Sequence, residues 1–180
     1  MTVEHVGGTA PLRRLDVVLT GLSSDAHTWN LVYLELLLEE MGCRVTNLGA
    51  CTPDVTIVRA CATRRPNLLV VSSLNGHGVQ DGVRLIRALR AEPGLVALPA
   101  VIGGRLDATG GIDRSTPARL LAAGFDAVFE DAAGVTTFRA LVRRLVVEVA
   151  QPAQLAAQPV QVQPPAMRPD PDYGQPIGAR

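Results

Sequence analysis

The segment SSDAHTWN, residues 23–30, places a carboxylate and an imidazole two positions apart. Asp25 and His27 follow the apolar run LDVVLT, which begins at Leu15 and is typical of a buried strand. An imidazole can bind a transition metal through one ring nitrogen while a carboxylate on the other nitrogen fixes the tautomer and raises the basicity. The segment therefore predicts a carboxylate–histidine pair with one ring nitrogen available to a metal.

The other histidines do not complete a metal site around this pair. His77 lies in another loop and His5 lies near the N-terminus. One protein ligand is too few for zinc, which takes at least three. Taken alone, a loop histidine is more often a surface or capping residue. A single imidazole does suit a metal that is already held by a macrocycle and needs only an axial base, and we expect His27 to fill that role.

Five short apolar runs predict the scaffold that positions this loop. Four of them lack polar alternation, as in strands that are covered on both faces. Helical patterns separate them, so we expect an α/β fold with a doubly wound, five-stranded parallel sheet of the flavodoxin or Rossmann-like type. The runs begin at Leu15, Cys43, Leu68, Pro99 and Phe125.

In such sheets, ligands bind in the crevice beyond the carboxyl ends of the strands, at the topological switch point. The loops that follow strands one, three and four are therefore the expected site. They read GLSSDAHTWN at 21–30, SSLNGHG at 72–78 and GGRLDATGGID at 103–113.

Composition excludes several common occupants of this architecture. All 17 basic residues are Arg, which excludes a P-loop lysine, Schiff-base chemistry and the lysine that phospho-receiver domains carry. No GxGxxG motif follows strand one, and aromatic residues make up only 3% of the chain, too few to favour a flavin site. Charges balance at 17 against 17, which gives no sign of a nucleic-acid-binding surface.

The 180 residues predict one folded domain at 15–150, preceded by a short leader at 1–14. The last thirty residues, Gln151 to Arg180, are rich in Pro and Gln, and we expect a disordered tail there. The chain has no signal-like apolar core, no run of transmembrane length and no CxxC pair. We therefore expect a cytoplasmic protein whose three cysteines are buried or partly buried thiols.

Three motifs in the expected site loops resemble a known family. D-x-H at 25–27, S-x-L at 72–74 and G-G at 103–104 are similar, in order and in position, to the motifs of the cobalamin-binding (B12-binding) family. Element by element, the segment from Leu15 to Val149 resembles in particular the small cobalamin-binding subunits of glutamate mutase, also called methylaspartate mutase subunit S.

The resemblance implies a role for each matched position. His27 would be the lower axial ligand of cobalt, and Asp25 would hold its other ring nitrogen. Ser72 would hydrogen-bond the benzimidazole base that His27 displaces from cobalt, and the two glycines would let the backbone approach the nucleotide tail. The remaining implied cofactor-binding residues are Ser24, Ala26, Thr28, Ser73, Leu74, Gly103, Gly104, Arg105, Leu106, Asp107, Ala108 and Thr109.

The same resemblance implies a function. The chain would be the cofactor-binding small subunit of an adenosylcobalamin-dependent carbon-skeleton mutase that converts L-glutamate to threo-3-methyl-L-aspartate. About fourteen residues precede strand one, too few for a helical cap domain over cobalt. We therefore expect a barrel-type large subunit to cover the cofactor and bind substrate in a heterotetramer. The catalytic side chains would lie in that partner and none in this chain.

Two alternatives stay open at this point. The chain could serve a mutase with a different substrate, or it could be a free-standing cobalamin carrier or sensor. A neighbouring gene for a barrel-type large subunit would favour a mutase.

One residue departs from the family pattern. Asn30 stands where the family motif D-x-H-x-x-G has glycine. Asn tolerates left-handed backbone and is a favoured helix N-cap. We therefore expect the loop to keep its course into a helix that begins at Leu31. If the glycine is needed for close contact with the nucleotide, affinity would fall, and Trp29 would either compensate by packing on the corrin edge or shield the loop.

Overall fold

The computed structural model describes residues 13–107, 115–130 and 132–151. Nearly all of the predicted leader at 1–14 and tail at 151–180 lies outside these residues, so both stay predictions. A short 3-10 turn at Pro93–Leu95 interrupts the regular alternation of strands and helices. The ten other elements are β1 (Asp16–Gly21), α1 (Trp29–Glu40), β2 (Arg44–Asn47), α2 (Asp54–Arg64), β3 (Leu68–Ser73), α3 (Gly78–Ala91), β4 (Ala100–Gly104), α4 (Ser115–Ala123), β5 (Ala127–Phe129) and α5 (Ala132–Ala150).

The sheet has five strands in the order β2-β1-β3-β4-β5, and every pair is parallel. This confirms the predicted doubly wound fold. The chain turns outward to β2 after β1 and then returns to place β3 on the other side of β1. In the register, Gly21 pairs with Ser72 and Ser72 pairs with Gly103, so the carboxyl ends of β1, β3 and β4 meet at one edge.

The core lies on both faces of the sheet. Val18 and Val71 belong to a cluster that packs against α2, α3 and α4. Leu19 and Val70 belong to a second cluster, which packs against α1 and α5. Because alternate side chains of one strand are buried on opposite faces, the strands read as continuous apolar runs.

Helix α1 begins earlier than the sequence predicts. The prediction of a helix that starts at Leu31 was wrong, because the backbone N–H groups of Leu31 and Val32 both donate to the carbonyl of Thr28 and close the first turn there. Asn30 therefore lies inside the helix rather than at its cap. Among the described residues other than glycine, positive φ occurs at Cys51 and Arg65, so Asn30 does not use left-handed backbone.

Helix α5 is the longest of the described helices at 19 residues, and it buries Phe138 and Val142 against the sheet. Its other side carries Arg143 and Arg144, which are exposed. Over the ranges that the structure describes, no helix combines the length and apolar character that crossing a bilayer requires.

Candidate functional site

The structure brings Asp25 and His27 into contact in the loop after β1. Nδ1 of His27 lies 2.7 Å from Oδ1 of Asp25. The carboxylate is almost completely buried, whereas the imidazole is 46% exposed. A carboxylate only accepts hydrogen bonds, so the neutral imidazole that keeps this contact has its proton on Nδ1 and its lone pair on Nε2. No described residue hydrogen-bonds Nε2, which leaves this nitrogen free to act as a ligand.

Asp25 is held by groups from two loops. Its Oδ1 also accepts the backbone N–H of His27 at 2.9 Å, and its Oδ2 accepts the backbone N–H of Leu74 at 2.5 Å. Burial alone would raise the pKa of Asp25, but these hydrogen bonds, with that from the imidazole, lower the pKa below its ordinary value. Asp25 is therefore a carboxylate at neutral pH and joins the D-x-H segment to the S-x-L segment.

A polar network supports the loop from the side of α3. The Asn75 side chain donates from Nδ2 to the carbonyl and to Oγ of Ser24, both at 2.8 Å. Ser24 Oγ in turn donates to Asp81, whose other oxygen accepts from Arg84. The Ser24 hydroxyl is thus engaged by the protein. The sequence analysis missed Asn75 and Asp81, because their roles depend on contacts with a loop more than fifty residues earlier.

A cavity opens beside the loop, between the carboxyl ends of β3, β4 and β5 and the helices α1 and α5. Its volume is about 220 Å³, room for about seven water molecules. The walls are mainly aliphatic and aromatic, and they include Ser72, Leu74 and both Gly103 and Gly104. The second and third motifs thus face one cavity next to the first motif.

Not every residue implied by the resemblance lies in the cavity wall. Ser73 is fully buried, and its hydroxyl lies 3.2 Å from Oδ1 of Asn75. Leu106 is 1% exposed and packs on Gly78 at the start of α3.

The remaining implied positions have other surroundings. Arg105 is exposed, and its carbonyl accepts from Gly76. Ala26 and Thr28 are exposed in the loop around His27. Asp107 is half-buried, and Ala108 and Thr109 lie outside the described residues. None of the described residues 105–107 contributes to the cavity wall.

The two glycines are needed by the sheet itself. A Cβ on Gly103 would lie 2.7 Å from the carbonyl oxygen of Phe129. Gly104 has a φ of +114°, and a Cβ there would collide with the carbonyl of Ser73. The glycine requirement therefore comes from packing against β5 and β3, besides any approach to a nucleotide.

Asn30 lines the cavity, whereas the sequence predicted for it the role of a helix N-cap. Its side chain is buried and lines the cavity, and Nδ2 donates to Oγ of Ser72 at 2.6 Å. The D-x-H-x-x-G comparison marked the position as unusual, but its contact with β3 could be found only from the fold.

A metal ion would need ligands beyond those of the described residues. In that part of the chain, no cluster of three or more His, Cys, Asp or Glu residues could hold a metal ion. His27 could therefore contribute one ligand to a metal whose other ligands come from elsewhere.

Residues 15–142 match the sequence family described as the B12 binding domain. The chain belongs to the B12-binding domain family. This confirms the resemblance to the B12-binding family, and the matched range includes the Asp25–His27 pair, whose role stays a prediction.

Curated relatives of this B12-binding domain include glutamate mutase sigma subunits. The sigma subunit of Halobacterium salinarum is 39% identical over 119 residues, which span 66% of this chain and 78% of that protein. The sigma subunit of Fusobacterium nucleatum is 30% identical over 114 residues, which span 63% of this chain and 83% of that protein.

A solved structure supports the fold. The crystal structure of a cobalamin-binding protein from Desulfitobacterium hafniense superposes with a TM-score of 0.60 at 22% identity. The match covers 74% of this chain and 60% of that chain. At this identity the likeness shows the shared architecture.

Proposed function

We propose that this chain is the cobalamin-binding small subunit of an adenosylcobalamin-dependent glutamate mutase, which interconverts L-glutamate and threo-3-methyl-L-aspartate. The observation that carries the proposal is the Asp25–His27 pair, in which a buried carboxylate holds a half-exposed imidazole at the edge of the sheet. Membership of the B12-binding domain family and the similarity to sigma subunits supply the cofactor and the reaction.

The described residues fit a corrinoid. His27 Nε2 would bind cobalt, and Asp25 would keep the proton on Nδ1. A base released from cobalt could enter the adjacent cavity of about 220 Å³, whose walls are largely apolar. The Ser72 hydroxyl lies in that wall and accepts from Asn30, so its own O–H remains available to donate to a ring nitrogen.

Bound adenosylcobalamin would supply the radical through cleavage of its cobalt–carbon bond. This chain would bind the cofactor and orient its axial ligand. Asp25 would fix the tautomer and the plane of the imidazole, and the apolar cavity walls would exclude water from a base held between them. Adenosylcobalamin, rather than another cobalamin, is part of the proposal.

A partner chain would bind the substrate. We infer a barrel-type large subunit in a heterotetramer, by analogy with the glutamate mutase subunit named in the relatives. The surface around the imidazole is open to contact with another protein chain. Its residues Ala26, His27, Thr28 and Trp29 are all exposed, and Trp29 is 65% exposed.

The test is electron paramagnetic resonance of the full-length chain with cob(II)alamin of natural nitrogen-14, after growth on nitrogen-15 histidine. We expect superhyperfine splitting from a nitrogen-15 axial ligand, and we expect His27→Ala to lose it while keeping the fold. A nitrogen-14 pattern in the wild-type protein would mean that the base stays on cobalt, and it would overturn the role of His27.

A second measurement addresses the reaction. Adding a candidate large subunit and L-glutamate to the loaded chain should yield 3-methylaspartate. Formation of a different product would assign another mutase. Tight cobalamin binding without any such partner in the genome would instead favour a carrier or sensor.

A further inference from the structure

Asn30 has a feature that the proposed function does not use. Its side chain is only 6% exposed and lines the cavity. Nδ2 donates to Ser72, whereas Oδ1 is buried without a hydrogen-bond partner, the one such side-chain atom among the described residues. Buried polar atoms nearly always have partners in native proteins. An unpaired acceptor in a cavity wall therefore points to a ligand.

Rotating the amide by 180° does not remove this feature. In that orientation Ser72 would donate to Oδ1, and Nδ2 would be the unpaired atom. In both orientations the Asn30–Ser72 pair, whose residues line the cavity, keeps one donor and one acceptor without a partner. A ligand that carries both kinds of group would satisfy the pair.

We propose that Asn30 is a specificity-determining residue that hydrogen-bonds the nucleotide tail of the bound corrinoid. The unpaired amide atom pairs with a hydroxyl or amine group of the tail, and Ser72 pairs with a ring nitrogen of its base. This inference rests on the proposed function. The family's glycine at this position offers no polar side chain, so Asn30 adds a contact rather than obstructing the site.

The experiment measures the Kd of two corrinoids for the full-length chain by absorption spectroscopy. Cobalamin carries the nucleotide tail and cobinamide lacks it. Asn30→Gly restores the family's residue and widens the cavity, and Asn30→Leu keeps a similar volume without polar atoms. We expect both variants to bind cobalamin, or its analogue with an adenine base, about tenfold more weakly than the wild type, with unchanged affinity for cobinamide.

A cobamide with an adenine base shows which group of the tail pairs with the Asn30 amide, a hydroxyl or linker group or the amine of the base. Dimethylbenzimidazole has no N–H group in the nucleotide, so a loss of affinity for cobalamin assigns the donor to the ribose or the linker. A loss confined to the adenine cobamide assigns it to the amine of the base.

Two results would overturn the inference. Asn30→Gly could bind both cobamides as tightly as the wild type or more tightly, which would make Asn30 an obstruction. The variants could also lose equal affinity for cobinamide, which would exclude the tail. If the wild type binds no corrinoid at all, the proposed function is what fails. Thermal unfolding of each variant checks the fold, and Asn30→Gly alone decides the question if Asn30→Leu does not fold.

Discussion

Asp25 is the residue on which three segments of the site converge. Its carboxylate accepts hydrogen bonds from the imidazole of His27 and from the backbone N–H of Leu74, and its carbonyl accepts from the backbone N–H of Cys51. The buried carboxylate orients the imidazole and joins the loops after β1 and β3, and the backbone carbonyl of the same residue adds the loop after β2.

Replacing Asp25 with Asn should therefore affect stability as well as binding. An amide keeps one acceptor oxygen but substitutes a donor for the other, so either Leu74 N–H or His27 Nδ1–H loses its acceptor. We expect the free energy of unfolding at pH 7 to fall by about 1–3 kcal/mol, with weaker cobalamin binding. Urea denaturation and spectroscopic titration measure the two effects.

Asp16→Asn provides the matched control. Asp16 pairs with Arg44 at an exposed site, where an ion pair contributes little to stability. If Asp25→Asn changed stability no more than this control, the carboxylate would not be what holds the loops together.

Two contacts of the site differ in how far they could be predicted from the sequence. Asp25 and His27 are two positions apart, and they make their contact within one loop, so their pairing was predictable. Asn30 contacts Ser72 across 42 positions of the sequence. That contact depends on the fold, which brings the first turn of α1 next to the end of β3, and the expected cap role gave no hint of it.

Among the elements, β4 is the most constrained at the site. It lies between β3 and β5, and its last two residues are the glycine pair. The backbone of β3 comes close to Gly104, and that of β5 comes close to Gly103.

Gly104→Ala should destabilise the protein by at least about 2 kcal/mol, because positive φ and a collision with the Ser73 carbonyl both oppose a Cβ. Gly94→Ala is the control, since a Cβ at Gly94 would meet nothing within 4 Å. We expect it to change stability by less than about 0.5 kcal/mol. Chemical denaturation compares the two, and an equal effect would contradict the packing argument.

Helix α3 is tied to the site loop through Asp81 in its first turn. The residue is 9% exposed, accepts from Ser24 and Arg84, and has His77 nearby. Burial would raise the pKa of Asp81, but the hydrogen bonds from Ser24 and Arg84 and the charge of Arg84 lower it below its ordinary value. The carboxylate therefore stabilises the folded state.

This shift gives a pH-dependent prediction. A folded-state pKa below the unfolded value means that the stabilisation is present above about pH 4 and is lost as the pH falls through the folded-state pKa. Asp81→Asn should cost about 1–3 kcal/mol at pH 7, and the difference from the wild type should shrink in acid. A difference that stayed constant from pH 7 to pH 3 would contradict this account.

At the scale of the whole molecule, two cysteines report on the two layers of the core. Cys61 lies in the cluster against α2, α3 and α4, and Cys43 lies in the cluster against α1 and α5. Burial raises the pKa of each thiol to about 11. Cys51 is exposed in the loop after β2, where the expectation of buried or partly buried thiols was wrong.

Ellman titration of the native protein at pH 8 should therefore show one fast thiol, and Cys51→Ser should remove it. The other two should react only on unfolding, and together if both layers unfold in one cooperative transition. Separate reaction of Cys43 and Cys61 along a urea gradient would show that the two layers unfold independently.

The fold class, the family and the Asp25–His27 pair could all be predicted from the order of the residues. Each depends on short-range order: continuous apolar runs, the alternation of strands with helices, and motif residues within one loop. Tertiary structure decided the cavity, the Asn30–Ser72 contact and the Leu74 N–H that holds Asp25 from 49 positions away. These features arise where parallel strands meet at one edge of the sheet, and the local pattern of residues carries no record of which distant backbone atoms will lie there.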